Sequence, residues 1–93
     1  MQNKITKQKL DKYFNLTTKA LREIKKKINK TKKKEAKEII DMASNYLEDA
    51  KYFQEKKDFV NAFAALNYSH GWIDSGVRLG IFDVKDNKLF TVK

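Results

Sequence analysis

The chain contains no proline, and its three glycines all lie between residues 71 and 80. Proline and glycine interrupt helices more strongly than other residues, so nothing before Gly71 forbids a helical backbone. Hydrophobic residues make up 41% of the 93 positions, which is enough apolar surface for the interior of one small domain. The chain is therefore expected to fold as a single all-α domain, residues 1–93, built from long helices.

Three segments each carry an apolar stripe, in which mostly hydrophobic residues recur at spacings of three or four, strictly alternating in the first and third segments. The stripes contain Leu10, Phe14, Thr17, Leu21, Ile24 and Ile28; then Ala36, Ile39, Ala43, Leu47, Ala50 and Phe53; then Phe59, Phe63, Leu66, His70, Ile73 and Val77. Short polar connections between long helices favour antiparallel neighbours. We predict an up-and-down three-helix bundle with helices at about residues 3–29, 32–55 and 58–80.

Residues at the predicted helix ends support these boundaries. Thr31 is expected to cap the second helix and Asp58 the third, because their side-chain oxygens accept hydrogen bonds from first-turn amides. A continuous helix through residue 30 is the alternative at the first boundary, because three lysines, residues 32–34, at a helix start are electrostatically unfavourable. Gly80 is expected to end the third helix. Beyond it, apolar residues flank the polar run 85–88, so residues 81–93 are predicted to pack on the bundle as a short extended tail or a β-hairpin.

The formal net charge is +9, and the excess lies in the first third of the chain. Residues 1–34 carry 13 Lys/Arg and two acidic residues, whereas residues 35–93 carry eight Lys/Arg and ten acidic residues. The first helix is predicted to carry a basic stripe made of Lys12, Lys19, Arg22, Lys26, Lys30 and Lys33. This stripe is a candidate surface for an anionic partner such as RNA. A merely solvated lysine-rich face is the favoured interpretation, because phosphate sites usually favour arginine and the chain has only two arginines.

Several classes of site and location are disfavoured by composition. The chain has no cysteine and one histidine, so thiolate and multi-histidine metal sites are not expected, and no cofactor is predicted. No apolar run approaches the roughly 18 residues of a membrane span. The first ten residues lack the apolar block of a signal peptide, and a cytoplasmic protein without membrane contact is expected.

Polar residues follow one edge of the apolar stripe on the third predicted helix. Asn67, Gly71, Asp74 and Arg78 form this edge, and His70 lies within the stripe itself. His70 is four residues from Asp74, and Asp74 is four from Arg78, so each pair can meet on the helix surface. A His–Asp pair serves either acid–base catalysis or a structural hydrogen-bond network between helices. The structural interpretation is favoured, and no enzyme activity is expected, because no nucleophilic cysteine, glycine-rich phosphate loop or clustered metal ligands complete a site.

Tyr68, Trp72 and Leu79 form a candidate partner patch on the same helix. Gly71 faces outward beside Asn67 and Arg78, where a helical glycine costs about 1 kcal/mol relative to alanine, so an approaching backbone, a partner side chain or a local kink would account for it. A protein partner, including a second copy of the chain, or the C-terminal tail would cover this patch. A non-enzymatic protein-binding or scaffold module is therefore the favoured function, and RNA binding through the basic stripe is the alternative.

Residues 58–84, and above all the run ALNYSHGWIDSGVRLG at residues 65–80, resemble a family of small archaeal proteins known as domain of unknown function 357. The residues that carry the resemblance are Asn67, His70, Gly71, Trp72, Asp74, Gly76 and Arg78. The resemblance implies a compact helical bundle in an archaeal cytoplasm. It implies no activity, substrate or partner.

Overall fold

A computed structural model describes residues 5–85 of the chain. The helices are α1 (Lys7–Lys25), α2 (Lys33–Glu55) and α3 (Phe59–Arg78), with a short 3₁₀ turn at Lys30–Lys32 before α2. Successive helices run in opposite directions. Near the start of α1, a carboxylate oxygen of Asp11 accepts a hydrogen bond from Gln54 near the end of α2 at 3.1 Å. The predicted up-and-down three-helix bundle is confirmed.

The apolar stripes of the three helices meet in one interior. The buried hydrophobic residues of the helices are Leu10, Ala20, Leu21, Ile24, Ala36, Ile39, Ala43, Leu47, Ala50, Ala62, Ala65, Leu66, Ile73 and Val77. Small residues at the α2–α3 interface allow the two backbones to approach, and the Ser69 hydroxyl donates directly to the carbonyl of Ala43 at 2.7 Å. Phe14 and Phe63 pack against this core while remaining partly exposed.

Helix α1 ends at Lys25, earlier than the apolar stripe predicts, because the residues that follow pair with a distant segment. Backbone hydrogen bonds and one isolated antiparallel bridge join residues 27–29 to residues 81–83. The amide of Asn29, for example, donates to the carbonyl of Ile81 at 2.9 Å. An amide engaged in this pairing is not available for the helical ladder, so the helix stops before it.

The connection into α2 is organised by Asn29. Its side-chain oxygen accepts hydrogen bonds from the amide of Thr31 at 3.0 Å and from the hydroxyl of Thr31 at 2.9 Å. Its side-chain amide donates to the carbonyl of Gly80 at 3.0 Å. The prediction that Thr31 caps α2 is wrong: α2 begins at Lys33 without a side-chain cap, and Asn29 caps the preceding 3₁₀ turn.

The other helix ends follow the sequence more closely. Asp58 caps α3 as predicted, since its side-chain oxygen accepts from the amide of Asn61 at 3.2 Å. Gly80 ends α3 with a φ of 74°. Two backbone bonds of 3.1 and 2.9 Å return from residues 80 and 81 to the last turn of the helix, as in a Schellman motif.

The segment after α3 is anchored by Ile81 and Phe82, which are 7% and 2% exposed. Most of the predicted extended tail or hairpin, residues 86–93, lies outside the described residues. None of the helices described between residues 5 and 85 combines the length and the apolarity needed to cross a membrane.

Candidate functional site

Most of the predicted polar cluster lines one groove between α1 and α3, called here the α1–α3 groove. Its volume is about 320 Å³, and it is lined by Tyr13, Leu16, Thr17, Leu66, Asn67, His70, Gly71 and Asp74. The spacing of residues 67, 70, 71 and 74 places them on one side of α3. Helix α1 supplies the opposite wall and makes the groove more apolar than the cluster alone.

His70 connects the two walls of this groove. Its Nδ1 lies 3.3 Å from the Thr17 hydroxyl oxygen on α1, and its Nε2 lies 3.7 Å from a carboxylate oxygen of Asp74. The side chains of His70 and Asp74 are 20% and 25% exposed. Nδ1 is within hydrogen-bond distance of the Thr17 hydroxyl, and the tautomer of the ring decides which of the two donates.

The order Thr17, His70, Asp74 is that of a nucleophile, a base and an orienting carboxylate. Two features of the structure weigh against this chemistry. Thr17 borders the groove but is only 1% exposed, which leaves little of its surface for a substrate carbonyl. The neighbouring amides lie inside α1 and α3, where helical hydrogen bonds use them, and they are not free to stabilise an oxyanion. The Thr17–His70 contact joins α1 to α3 within the groove.

Arg78 stands apart from the rest of the polar cluster. It lies in the exposed last turn of α3, where a positive charge suits the negative end of the helix dipole. Within residues 5–85 the structure shows no ion pair between Arg78 and an acidic side chain. The i,i+4 spacing therefore brings His70 and Asp74 together but leaves Arg78 outside the α1–α3 groove.

The predicted partner patch lines a second groove on the other side of α3, called here the α2–α3 groove. Its volume is about 380 Å³, and it is lined by Ile39, Asn67, Tyr68, Gly71, Trp72, Ser75 and Leu79. Leu79 is 71% exposed, Tyr68 62% and Trp72 36%. All three patch residues therefore border one largely apolar depression. The centroid of the Tyr46 ring lies 5.3 Å from the centroid of the Tyr68 ring.

Gly71 lies between the two grooves and lines both. A Cβ placed on it would meet none of the residues from 5 to 85 within 4 Å. The Ser75 hydroxyl donates to the carbonyl of Gly71 at 2.8 Å, so this polar side chain is satisfied without a solvent partner. Because Gly71 has no side chain, the surface of α3 is recessed at this point and leaves room for the backbone of a binding partner.

The predicted basic stripe is divided by the early end of α1. All six of its residues are exposed: Lys12, Lys19 and Arg22 lie on α1, and Lys26, Lys30 and Lys33 lie around its connection to α2. Lys26 is 3.4 Å from the carboxylate of Glu23. The residues thus form two exposed basic groups rather than one straight line along a helix.

Thr17 is the neighbour of His70 that the sequence analysis does not single out. It was grouped with the apolar stripe of α1 because of its spacing, and a threonine in one stripe opposite a histidine in another is the signal that identifies it. Between residues 5 and 85, no three His, Cys, Asp or Glu side chains are placed to hold a metal ion.

Most of the chain matches a known protein family. The sequence profile of a family described as "Protein of unknown function (DUF357)" matches residues 12–82. That span contains every residue lining either groove. No curated protein and no solved structure gives a significant match.

Proposed function

This chain belongs to the DUF357 family, and from that premise we propose that it is a non-enzymatic protein-binding module whose docking surface is the α2–α3 groove. The observation that carries the proposal is the exposure of Tyr68, Trp72 and Leu79 around one depression. Scattered apolar side chains are normal on protein surfaces, whereas a contiguous patch with aromatic residues is typical of binding sites. We place this activity in an archaeal cytoplasm, as the family resemblance implies.

The partner we propose is a second copy of the chain, because the patch is complementary to itself. An antiparallel pairing of two α3 helices, with the two-fold axis between residues 73 and 74, sets each Trp72 opposite a Ser75 and each Tyr68 opposite a Leu79. Large side chains then face small or flexible ones. The open surface at Gly71 allows the two helices to approach closely.

The size of the patch limits the strength of this association. The exposed parts of the three side chains amount to roughly 300–400 Å², judged from the areas that aromatic residues bury. A stable interface needs about 800 Å² from each partner. The dimer is therefore expected to be weak and to form in a concentration-dependent manner.

Sedimentation analysis of the full chain tests the proposal, at concentrations from about 10 μM to about 1 mM, the range of weak dissociation constants. The average mass should rise with concentration, and the emission of Trp72, the only tryptophan, should shift to shorter wavelength as it is covered. Leu79→Glu should remain monomeric, whereas the control Val60→Glu, at a 62% exposed site outside the groove, should associate normally. A constant monomer mass with unchanged Trp72 emission would contradict the proposal.

A second candidate function is RNA binding, favoured by the exposure of all six predicted basic residues and by the concentration of charge in residues 1–34. Its affinity should fall steeply with the logarithm of salt concentration, because phosphate contacts release counterions. Self-association of two positively charged copies should instead strengthen with salt, which screens their repulsion. Fluorescence anisotropy with a labelled RNA oligonucleotide separates the two, and absence of binding at low salt rules out the second candidate.

A further inference from the structure

The end of the bundle where α1 stops and α2 begins carries a concentration of positive charge, and it is called here the basic pole. It consists of residues 25–34 and 78–85, because α3 ends at the same place as α1. These residues include nine Lys/Arg and one acidic residue, Asp83. The seven lysines of residues 25–34 are all exposed, as are Arg78 and Lys85.

The opposite end of the bundle, residues 5–12 and 51–58, has a mixed charge. It contains six lysines and three acidic residues. Two of its lysines are paired, Lys7 with Asp11 at 3.2 Å and Lys51 with Glu48 at 3.3 Å. At the basic pole Lys26 is paired with Glu23, and its other eight basic residues form no ion pair with an acidic side chain of residues 5–85. Their charge is therefore available to an external anion.

Backbone hydrogen bonds hold the two parts of the pole together. The amide of Asn29 donates to the carbonyl of Ile81 at 2.9 Å, and the amide of Asp83 donates to the carbonyl of Lys27 at 2.8 Å. Lys27 and Lys85 border the same surface cleft. The basic side chains of the pole are therefore attached to one surface that the fold holds in place.

Some lysines of the pole lie where the helix dipole disfavours them. Lys33 and Lys34 open α2, and Lys32 stands at its N-cap position without a side-chain cap. The start of a helix carries partial positive charge, so a further positive charge there is unfavourable. Glu35, the acidic residue of this first turn, offsets only part of it. A bound polyanion would relieve the repulsion among these lysines, which packing of the described residues does not explain.

The chemistry of the pole fits phosphates rather than bases. Eight of its nine basic residues are lysines, whose ammonium groups act as point charges and lack the planar fork with which arginine reads guanine. The large hydrophobic side chains exposed at the described part of the pole are Ile28 and Leu79, so no ring is offered there for stacking on an unpaired base. A duplex needs no such stacking, and it presents about one negative charge per 1.7 Å of its axis.

We propose that the basic pole binds the phosphate backbone of double-stranded nucleic acid without reading its sequence. This inference rests on the second candidate function, nucleic-acid binding, and places its site at the pole rather than along the six-residue stripe. It does not require self-association through the α2–α3 groove.

Fluorescence anisotropy of the full chain with labelled DNA and RNA duplexes of one sequence tests the inference. Three variants each lose three exposed charges, so general attraction to a polyanion falls equally in all of them. The pole variant carries Lys30→Gln, Lys32→Gln and Lys34→Gln. The stripe variant carries Lys12→Gln, Lys19→Gln and Arg22→Gln. The matched control at the opposite end carries Lys51→Gln, Lys56→Gln and Lys57→Gln.

The unmodified chain should bind both duplexes at low salt, and its affinity should fall linearly in a plot of log affinity against log salt. The pole variant should bind about tenfold more weakly than the matched control. Its salt slope should also be smaller by roughly 2–3, because each lost phosphate contact lowers the slope by about 0.9. Equal helical circular dichroism would show that all variants are folded.

Several results would overturn the inference. Equal weakening in the pole variant and the matched control would show that only net charge matters. A loss confined to the stripe variant would reject the pole but keep the second candidate function, whereas absence of binding to duplexes and to single-stranded RNA would reject both. Tighter binding to single strands than to duplexes, or binding to phosphatidylglycerol vesicles without binding to duplexes, would assign the pole to another kind of partner.

Discussion

Two glycines of α3 have opposite surroundings, and an alanine at each gives a paired prediction about stability. A Cβ on Gly76 would lie 2.5 Å from Cε2 of Phe82 and 2.9 Å from Cδ1 of Ile39, whereas a Cβ on Gly71 would meet no described residue within 4 Å. Neither glycine has a positive φ. Alanine therefore contributes about 1 kcal/mol of helix propensity at both positions, and only the contacts differ.

At Gly76, the contacts of the added methyl group decide whether alanine stabilises or destabilises the fold. Inserting a methyl group into a packed interior costs about 1–3 kcal/mol. The upper part of this range applies, because Phe82 is 2% exposed and its ring has no solvent to move into. After subtracting the propensity gain, Gly76→Ala should destabilise the fold by about 1–2 kcal/mol, while Gly71→Ala should stabilise it by up to about 1 kcal/mol. The variants should then differ by roughly 10–20 °C in Tm for a domain of this size.

Urea unfolding followed by helical circular dichroism measures both free energies, and equal m-values would show that the two transitions are comparable. A second measurement isolates the cause. In a Phe82→Leu background the penalty of Gly76→Ala should shrink, because the ring that blocks the new methyl group is gone. Equal stability of the two alanine variants would refute the packing argument, as would a penalty that Phe82→Leu leaves unchanged.

Two further substitutions test local features, each by thermal unfolding. Lys57 follows the end of α2 with a φ of 60°, a conformation that favours glycine, so Lys57→Gly should stabilise the fold by about 0.5–1 kcal/mol. Gly80→Ala, at a φ of 74°, should destabilise the fold. The opposite signs would contradict the strain argument. Thr17→Val removes the hydroxyl bonded to His70 and should cost about 1–2 kcal/mol. The matched control Thr18→Val should change stability by less than about 0.5 kcal/mol, and equal effects would show that the bond contributes nothing.

The features that the sequence predicted correctly are those whose causes are local. Ile24, Leu66 and Ile73 are 0%, 1% and 0% exposed, and each was assigned to the core from its spacing within one helix. Asp58 caps α3 through a residue three positions away. Such assignments depend on neighbours within a turn or two, so the pattern of residues contains all the information they need.

The end of α1 was predicted too late because its cause is distant in sequence. Ile28 continues the apolar spacing of the helix, and no residue before it breaks the pattern. In the structure Ile28 bridges to Phe82 instead. At residues 27–29, helix formation competes with pairing to a segment more than fifty residues away in the sequence. A local pattern of residues carries no information about that segment. For the same reason the sequence predicts a hydrogen bond from His70 to a neighbouring helix but does not identify Thr17 as its partner.

The effect of Gly71→Ala on stability also bears on the function of this glycine. Nothing among residues 5–85 fills the space above it, and alanine there should strengthen the helix. Packing of the described residues therefore gives no reason for glycine at this position. What remains is the surface itself, since Gly71 and Asn67 line both grooves and form the ridge between them. If Gly71→Ala stabilises the monomer yet weakens self-association, the cause of this glycine lies in what binds above it; if association is unchanged, the close approach of two α3 helices is excluded.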